Sequence, residues 1–213
     1  MNVGFSNLDT LKKHLLAGSL ANETKFNTVI TALGHGMAAM VASYCNRSFL
    51  RTVGAVEILP ADRANFLLSR FPLEALTSVE LKLSEADGFV VQPATFYQTI
   101  DLKNGMVILP DGADAGPYYA QVRFTYTGGY WWETLEPDDV AGGYPSAMPA
   151  GATALPHDVI QAWLLQCQHV WDARDKLGMN LADKPGEQAK LAEVKLIPLV
   201  ETMLTPYTRY NLI

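Results

Sequence analysis

Residues 22–46, NETKFNTVITALGHGMAAMVASYCN, carry the pattern that decides the fold. Their apolar side chains recur every three or four positions, which is the spacing of one face of an α-helix. This face consists of Phe26, Val29, Ile30, Leu33, Met37, Met40, Val41 and Tyr44. Asn22 is suited to cap the helix, and Gly34 and Gly36 would allow a neighbouring element to approach closely. The stretch predicts one long helix whose apolar stripe must be covered by another part of the chain.

The cover for this stripe is predicted to come from helices at both ends of the sequence. A shorter helix is expected over 7–16. A strong helix opens near Pro156, a residue favoured at the first helical position, and stops by Gly178. A final helix is expected over 186–204, either kinked at Pro198 or divided there into two shorter pieces, because proline removes a backbone donor. Since no amphipathic helix can bury its stripe alone, these helices are expected to pack into a bundle.

Between the helices the hydrophobic period changes to two. Residues 78–83 (SVELKL) and 118–126 (YYAQVRFTY) alternate in polarity, as half-buried strands do. Asn104-Gly105 separates two apolar runs and is a strong hairpin signal. A small antiparallel sheet or barrel is therefore expected over 51–132. The predicted fold class is α+β, a helical bundle formed by N- and C-terminal helices with an inserted antiparallel β domain.

This interpretation divides the chain into five parts. Residues 1–50 form the first part of the bundle and 51–133 the β-rich insertion. Residues 134–154 form a long loop rich in Pro, Gly and Ala, a kind of loop that is usually functional or disordered. Residues 155–204 complete the bundle, and 205–213 form a C-terminal arm.

The arm has the sequence TPYTRYNLI. Proline cannot continue the preceding helix, so the arm is predicted to leave the bundle in an extended form and dock into a partner. Aromatic and arginine side chains commonly anchor protein interfaces. The candidate partner-binding residues are Pro206, Tyr207, Arg209, Tyr210, Leu212 and Ile213. The alternative is that Tyr207 and Tyr210 fold back over the subunit's own core.

Composition excludes several classes of protein. The chain has 213 residues, 49% of them hydrophobic, and a formal net charge of −6. No Lys/Arg cluster of the kind that grips nucleic acid phosphates is found. The N-terminal stretch lacks the apolar core of a signal peptide, and no run reaches the ~18 apolar residues of a membrane span. A protein made in a cytoplasm, without a membrane partner, is expected.

The two cysteines, Cys45 and Cys167, fall among apolar residues of predicted helices. They are interpreted as reduced core residues, with a disulfide between the two helices as the alternative.

The sequence contains no phosphate-binding glycine loop, zinc-protease motif or paired-cysteine metal spacing. Its histidines are scattered, at His14, His35, His157 and His169. Glu136, Asp138 and Asp139 are interpreted as a solvated acidic loop rather than an acid/base pair, which would need a surrounding pocket. No catalytic residue, metal or cofactor is predicted, and a structural or interaction protein is favoured over an enzyme.

Tyr130, Trp131 and Trp132 form an aromatic run after Gly128-Gly129. Packing between the sheet and the bundle is the favoured interpretation, and an intersubunit contact is the alternative.

Five segments of the chain resemble the head–tail connector, or adaptor, family of tailed bacteriophages, whose members form a ring in the neck beneath the portal. The segments are residues 42–49 (ASYCNRSF), 67–73 with 76–79 (LLSRFPL, LTSV), 122–130 (VRFTYTGGY), 155–163 (LPHDVIQAW) and 204–209 (LTPYTR). Their order and spacing match the family across most of the chain. The loop at 134–154 departs from it, because it is longer than the usual link between strand and helix.

The resemblance implies a structural virion neck protein, made in the host cytoplasm, that assembles as a closed and usually dodecameric homo-oligomeric ring. It implies the portal protein as one partner, bound through the arm, and the next neck or tail-completion protein as the other. It also implies that DNA passes through the lumen, including during ejection, without specific binding. A ring needs unlike surfaces on each subunit, which a two-part molecule offers. A net-negative protein also suits a lumen that repels phosphate.

Two alternatives remain at this point. A different neck or tail-completion ring is disfavoured by the strong helices, because such rings are commonly mostly β. A small-molecule binding module or hydrolase built on the β insertion belongs to another class of protein altogether.

Overall fold

The computed structural model describes residues 3–16, 18–109, 120–132, 147–173 and 195–209. The chain divides into two compact units. The first comprises Met1–Cys45, Trp132–Ala147 and Pro156–Thr208, and the second comprises Asn46–Trp131, Met148–Leu155 and Arg209–Ile213. The mixture of α-helices with antiparallel sheets agrees with the predicted α+β class.

The α-helices of the described residues all belong to the first unit. They are α1 (Leu8–Leu15), α2 (Asn27–Tyr44), α3 (His157–Asp172) and α4 (Pro198–Leu204). Helix α1 begins where predicted, because the side chain of Asn7 accepts a 2.9 Å hydrogen bond from the backbone N–H of Thr10. No helix in the described ranges is both long and apolar enough to cross a membrane.

Helix α2 begins later than predicted. Asn22 ends a 3-10 helix (Gly18–Asn22) instead of capping α2, which starts at Asn27. The reason is a buried lysine on α1. Lys12 Nζ donates to the backbone oxygen of Glu23 at 2.7 Å and to Asn27 Oδ1 at 2.9 Å. A buried ammonium must be hydrogen-bonded, so this contact prevails over the local capping signal.

The buried face of α2 is narrower than its apolar stripe. Ile30, Met37 and Val41 are buried as predicted, whereas Val29 is 59% exposed. Gly34 lies on the buried face, and its carbonyl accepts a 3.0 Å hydrogen bond from Trp163 Nε1 of α3. A Cβ on Gly34 would lie 2.2 Å from the backbone oxygen of Val3. The close approach predicted for this helix is therefore confirmed at Gly34.

Prolines mark the starts of the later helices. Pro156 is the N-cap of α3 rather than its first helical residue, one position from the prediction. Of the two outcomes predicted at Pro198, the kink is wrong, because Pro198 is the first residue of α4, where its missing N–H leaves no hydrogen bond unmade. A helix that begins at Pro198 agrees with the other outcome, a division into two shorter pieces. Gln166 fixes the approach to α4 by donating to the Lys195 carbonyl at 2.9 Å and accepting from the Ile197 N–H at 3.1 Å. Gly178 and residues 186–194 lie outside the described residues.

The second unit contains the sheets. The strands are β1 (Thr52–Pro60), β2 (Asn65–Leu67), β3 (Leu73–Lys82), β4 (Val90–Val91), β5 (Gln98–Asp101), β6 (Met106–Ile108), β7 (Gln121–Gly128), β8 (Tyr130–Trp131) and β9 (Thr153–Ala154). An antiparallel sheet has the order β1-β7-β3-β4, and a smaller one has the order β2-β6-β5. The core between them contains Phe66, Val79, Val107, Val122 and Phe124, all nearly inaccessible to solvent.

The sequence signals for these strands are largely confirmed. Gly105 adopts the left-handed φ of 69° between β5 and β6, as the Asn-Gly hairpin signal predicts. In β7, Val122, Phe124 and Tyr126 are buried at alternate positions. Tyr118, the predicted start of this strand, lies outside the described residues.

Strands β8 and β9 connect separate segments of the second unit. The Tyr130 N–H donates to the Phe49 carbonyl at 2.7 Å, and the Arg51 N–H donates to the Tyr130 carbonyl at 2.9 Å. On the other side of β8, the Leu155 N–H donates to the Trp131 carbonyl at 2.7 Å, and the β8–β9 pair is parallel. The prediction of a loop through residue 154 is therefore wrong for residues 153–154, which form β9. Residues 133–146 are outside the described ranges.

Replacing Gly34 with alanine tests the close packing of the first unit. We expect Gly34→Ala to lower the free energy of unfolding by about 1–3 kcal/mol, because the new methyl group overlaps the Val3 carbonyl. Gly36→Ala is the matched control. A Cβ there meets no atom within 4 Å, so alanine should leave stability unchanged or raise it by about 0.5–1 kcal/mol. Urea denaturation of the two variants measures both effects. Equal stability would contradict the packing of α2 described above.

Candidate functional site

The predicted arm begins with a helical turn, and its backbone becomes extended at Thr208. Thr205–Tyr207 form a 3-10 helix directly after α4, in which Pro206 occupies an early position that needs no N–H donor. The Tyr207 hydroxyl lies 2.7 Å from each carboxylate oxygen of Asp158 in α3. The Tyr207 hydroxyl thus contacts its own subunit at the surface of α3, and both the partner-binding role and the alternative of folding over the core stay predictions. Tyr210, Leu212 and Ile213 lie outside the described residues.

Arg209 belongs to the second unit and contacts the sheet there. Its guanidinium donates to the Leu67 carbonyl, and one nitrogen lies 3.8 Å from Glu57 Oε1. The side chains of Arg209 and Glu57 are each only 16% exposed. Both contacts lie within the subunit, and the partner-binding role of Arg209 stays a prediction.

The other oxygen of Glu57 accepts several hydrogen bonds. Glu57 Oε2 accepts from the Ser69 N–H at 2.8 Å, the Ser69 hydroxyl at 2.9 Å and the Tyr126 hydroxyl at 2.8 Å. Burial, together with the negative charge of Glu57, raises the pKa of Tyr126 to about 12, so the hydroxyl remains a donor at neutral pH. The charged carboxylate is thus held by neutral donors on one side and by Arg209 on the other. This arrangement positions the chain rather than preparing it for catalysis.

A second buried cation lies among aromatic rings in the same unit. Arg47 is 5% exposed and lies over the rings of Phe71, Phe49 and Tyr130, at 3.3, 4.7 and 5.1 Å from their centroids. It also donates to the Phe71 carbonyl. Sequence reasoning gave Arg47 no role, because a single arginine after a helix carries no local sign of its partners.

The resemblance segments meet at these contacts. Residues 42–49, 67–73 and 122–130 supply Arg47 with Phe49, Phe71 and Tyr130. The segments at 155–163 and 204–209 meet where Tyr207 donates to Asp158. The residues that carry the resemblance therefore form contacts within one subunit, which is a structural reason for their occurring together.

The aromatic run at 130–132 is mostly buried. Tyr130 is 8% exposed and stacks on Phe49 with ring centroids 6.2 Å apart. Trp132 is 6% exposed and meets Phe5 edge-on at 5.7 Å. Tyr130 therefore packs within the second unit and Trp132 within the first, and an intersubunit role for either residue stays a prediction. Trp131 is half-buried, and an intersubunit role for it stays a prediction.

The remaining candidate groups are dispersed. His14, His35, His157 and His169 are all exposed, and no cluster of metal-ligating side chains occurs within the described ranges. Glu136, Asp138 and Asp139 lie outside those ranges.

The cysteine prediction is confirmed. Cys45 and Cys167 are both buried and not disulfide-bonded, and burial raises the pKa of the Cys167 thiol to about 12. The disulfide alternative is wrong.

An open groove of about 640 Å³ lies in the first unit. It is lined by Gly36, Ala39, Met40, Ser43, Tyr44, Lys195, Leu196 and Glu201. It is not on the β insertion, where the small-molecule alternative placed its site.

Comparison with known proteins identifies the fold. No family model and no curated protein matches the chain. Three solved structures of gene transfer agent (GTA) particles contain similar chains. The chain from the virion of a native particle is 15% identical, with 97% of this chain and 90% of that chain covered and a TM-score of 0.59.

The other two structures are necks. The neck of an empty particle, computed with C6 symmetry, contains a chain 13% identical with the same coverage and a TM-score of 0.55. The neck of a native particle, computed with C12 symmetry, contains one 14% identical, with coverage of 100% and 94% and a TM-score of 0.52. At these identities the likeness shows a shared fold over essentially the whole chain.

The Tyr126 hydroxyl generates a prediction about pH. Tyr126→Phe should lower the free energy of unfolding by about 1–2 kcal/mol at pH 8, because Glu57 loses a buried donor. The pKa of Tyr126 is raised from 10.0 to about 12 in the folded protein. The Tyr126 hydroxyl therefore makes its full contribution to the free energy of unfolding below pH 10, and this contribution is lost as the pH rises through about 12.

The stability difference between wild type and Tyr126→Phe should accordingly shrink from pH 8 to pH 11, as measured by urea denaturation. Tyr44→Phe is the control, since its exposed side chain should change stability little at either pH. An undiminished difference at pH 11 would show that the Tyr126–Glu57 contact is not as described.

Proposed function

We propose that this chain is a structural neck protein, a head–tail adaptor in the virion of a tailed phage or phage-like particle. It joins the portal to the next neck or tail-completion protein as a ring and lets DNA pass. The observation that carries the proposal is the similarity of fold to chains of GTA necks over nearly the full length of both chains.

A dodecameric ring is the proposed assembly. One of the similar neck structures was computed with C12 symmetry, which supports this number. A closed ring is built from heterologous contacts, in which one surface of a subunit meets a different surface of the next. We expect the isolated chain to be monomeric or weakly associated and to form its ring on the portal.

Passage of DNA requires a surface that does not hold phosphates. The net charge is −6, and several arginines lie beside carboxylates within their own subunit. Arg51 pairs with Glu74 and Arg123 with Glu80, and both carboxylates are largely buried. Because these arginines are paired with carboxylates, they would release few counterions from DNA. Binding to duplex DNA should therefore be negligible at physiological salt.

The portal contact is assigned to the residues beyond Arg209. Tyr207 and Arg209 are engaged within the subunit, while Pro206 is exposed. Tyr210, Leu212 and Ile213 are the residue types that anchor interfaces, and we propose that they dock into the portal. The role requires no catalysis or cofactor.

Imaging assembled particles tests the proposal. Particles whose copy of this chain carries a compact tag should show added density in a ring directly beneath the portal. Sedimentation of the purified chain with and without assembled portal provides an independent measurement. A stable symmetric dimer that ignores portal, or density elsewhere in the particle, would refute the adaptor role.

Removing residues 210–213 separates docking from folding. We expect this truncation to leave the thermal midpoint nearly unchanged and to abolish incorporation into particles, because the described contacts of the subunit remain. Arg209→Ala is the matched variant. It should lower the free energy of unfolding by about 1–3 kcal/mol, since it removes the partner of a largely buried carboxylate. Normal incorporation of the truncated chain would place the portal contact elsewhere.

A further inference from the structure

The four-stranded sheet presents exposed apolar side chains at both of its edges. In β1, Val56 is 60% exposed and Ile58 is 49% exposed. In β4, Val90 is 62% exposed and Val91 is 65% exposed. Edge strands with exposed β-branched residues are templates for pairing with another chain, and natural proteins usually protect them with charge.

The two edge strands, β1 and β4, run in opposite directions and present apolar side chains on the same face of the sheet. The register connects Ile58 with Arg123, Arg123 with Glu80, and Glu80 with Val91, so these four residues form one row across the sheet. Residues paired directly across strands share a face, which places Ile58 and Val91 on the same face at opposite edges. The strands are antiparallel at every step of the order β1-β7-β3-β4. Strands β1 and β4 therefore run in opposite directions.

We infer that β4 of one subunit adds to β1 of the next, so that the sheet continues from copy to copy around the ring. This inference rests on the proposed ring and names the surface that forms it. The added pair is antiparallel, like the rest of the sheet, and places Val91 of one copy beside Ile58 of its neighbour. Because the two edges differ, the contact is heterologous, as a closed ring requires.

The charged residues at one end of the sheet favour a second copy of this chain as the partner that pairs with the β1 edge. Glu85 and Asp87 lie in the turn between β3 and β4, at the end of the sheet where β1 finishes. Arg63 follows β1 at that same end, and it is 49% exposed beside Asp62. The inferred contact brings Glu85 and Asp87 of the adjacent copy to the end of the sheet that carries the positive charge of Arg63.

The length of β4 explains why the contact needs a template. Strand β4 has two residues, so each junction makes few backbone hydrogen bonds. A junction of this size is too weak to assemble freely and becomes stable when the portal aligns the copies.

Cross-linking tests the inference. Ile58→Cys and Val91→Cys are introduced into one full-length chain, the native cysteines being buried, and assembled particles are treated with a short bis-maleimide. We expect a ladder of oligomers on a denaturing gel, and no cross-links with either single variant. Dimers from Ile58→Cys alone would show β1 meeting β1 and would overturn the inference. A cross-link to a different protein would overturn it in favour of a partner strand.

Charge substitutions provide a second measurement. Ile58→Lys and Val91→Glu should each lower incorporation by roughly tenfold or more, and the double variant should recover it through a Lys–Glu pair between copies. Val29→Lys is the matched control, because Val29 is 59% exposed on α2. If the necks contain the chain and both single variants incorporate normally, the edge contact is wrong while the adaptor role stands. If the wild-type chain is absent from necks, both proposals fail.

Discussion

The backbone hydrogen bonds around Tyr130 are the constraint on which the second unit depends. Tyr130 bonds to Phe49 and Arg51, and the next residue, Trp131, bonds to Leu155. These residues stand beside the points where the chain enters the second unit, first leaves it and leaves it again. A unit made of separate chain segments requires those segments to be joined, and the hydrogen bonds of the short β8 join two of them. Arg47 packs in the same region, where its guanidinium lies over the rings of Phe49, Phe71 and Tyr130.

Periodic features of this fold were predictable from the sequence, and single long-range contacts were not. The apolar stripe of α2 repeats with the period of a helix, and the burial in β7 alternates with the period of a strand. The turn at Gly105 follows from a local Asn-Gly pair. The start of α2 depends on Lys12, eleven residues before Glu23, and no local rule connects them. The pairing of β8 with β9 involves two residues on each side, which is too short to leave an alternating pattern. Pro198 was ambiguous, because proline either interrupts a helix or begins one.

In the candidate surfaces, too, residue types could be predicted from the sequence but their long-range contacts could not. Sequence identified Tyr207 and Arg209 as residues able to anchor an interface, yet the chemistry that suits a partner suits the subunit's own carboxylates equally well. Asp158 and Glu57 are those carboxylates, and each is far from its partner along the chain. The exposed edge residues Ile58 and Val91 were unremarkable in the sequence, since a β-branched residue in a strand looks the same whether it faces a core or solvent.

The contact between Trp163 and Gly34 has a consequence for the order of events during synthesis. Its two residues are 129 positions apart, and the whole second unit apart from Arg209–Ile213 is encoded between them. When α1 and α2 leave the ribosome, the side chain that will cover Gly34 has not yet been made. The part of the α2 face that Trp163 covers therefore stays open to solvent until α3 has been made, and apolar surface exposed in this way favours aggregation.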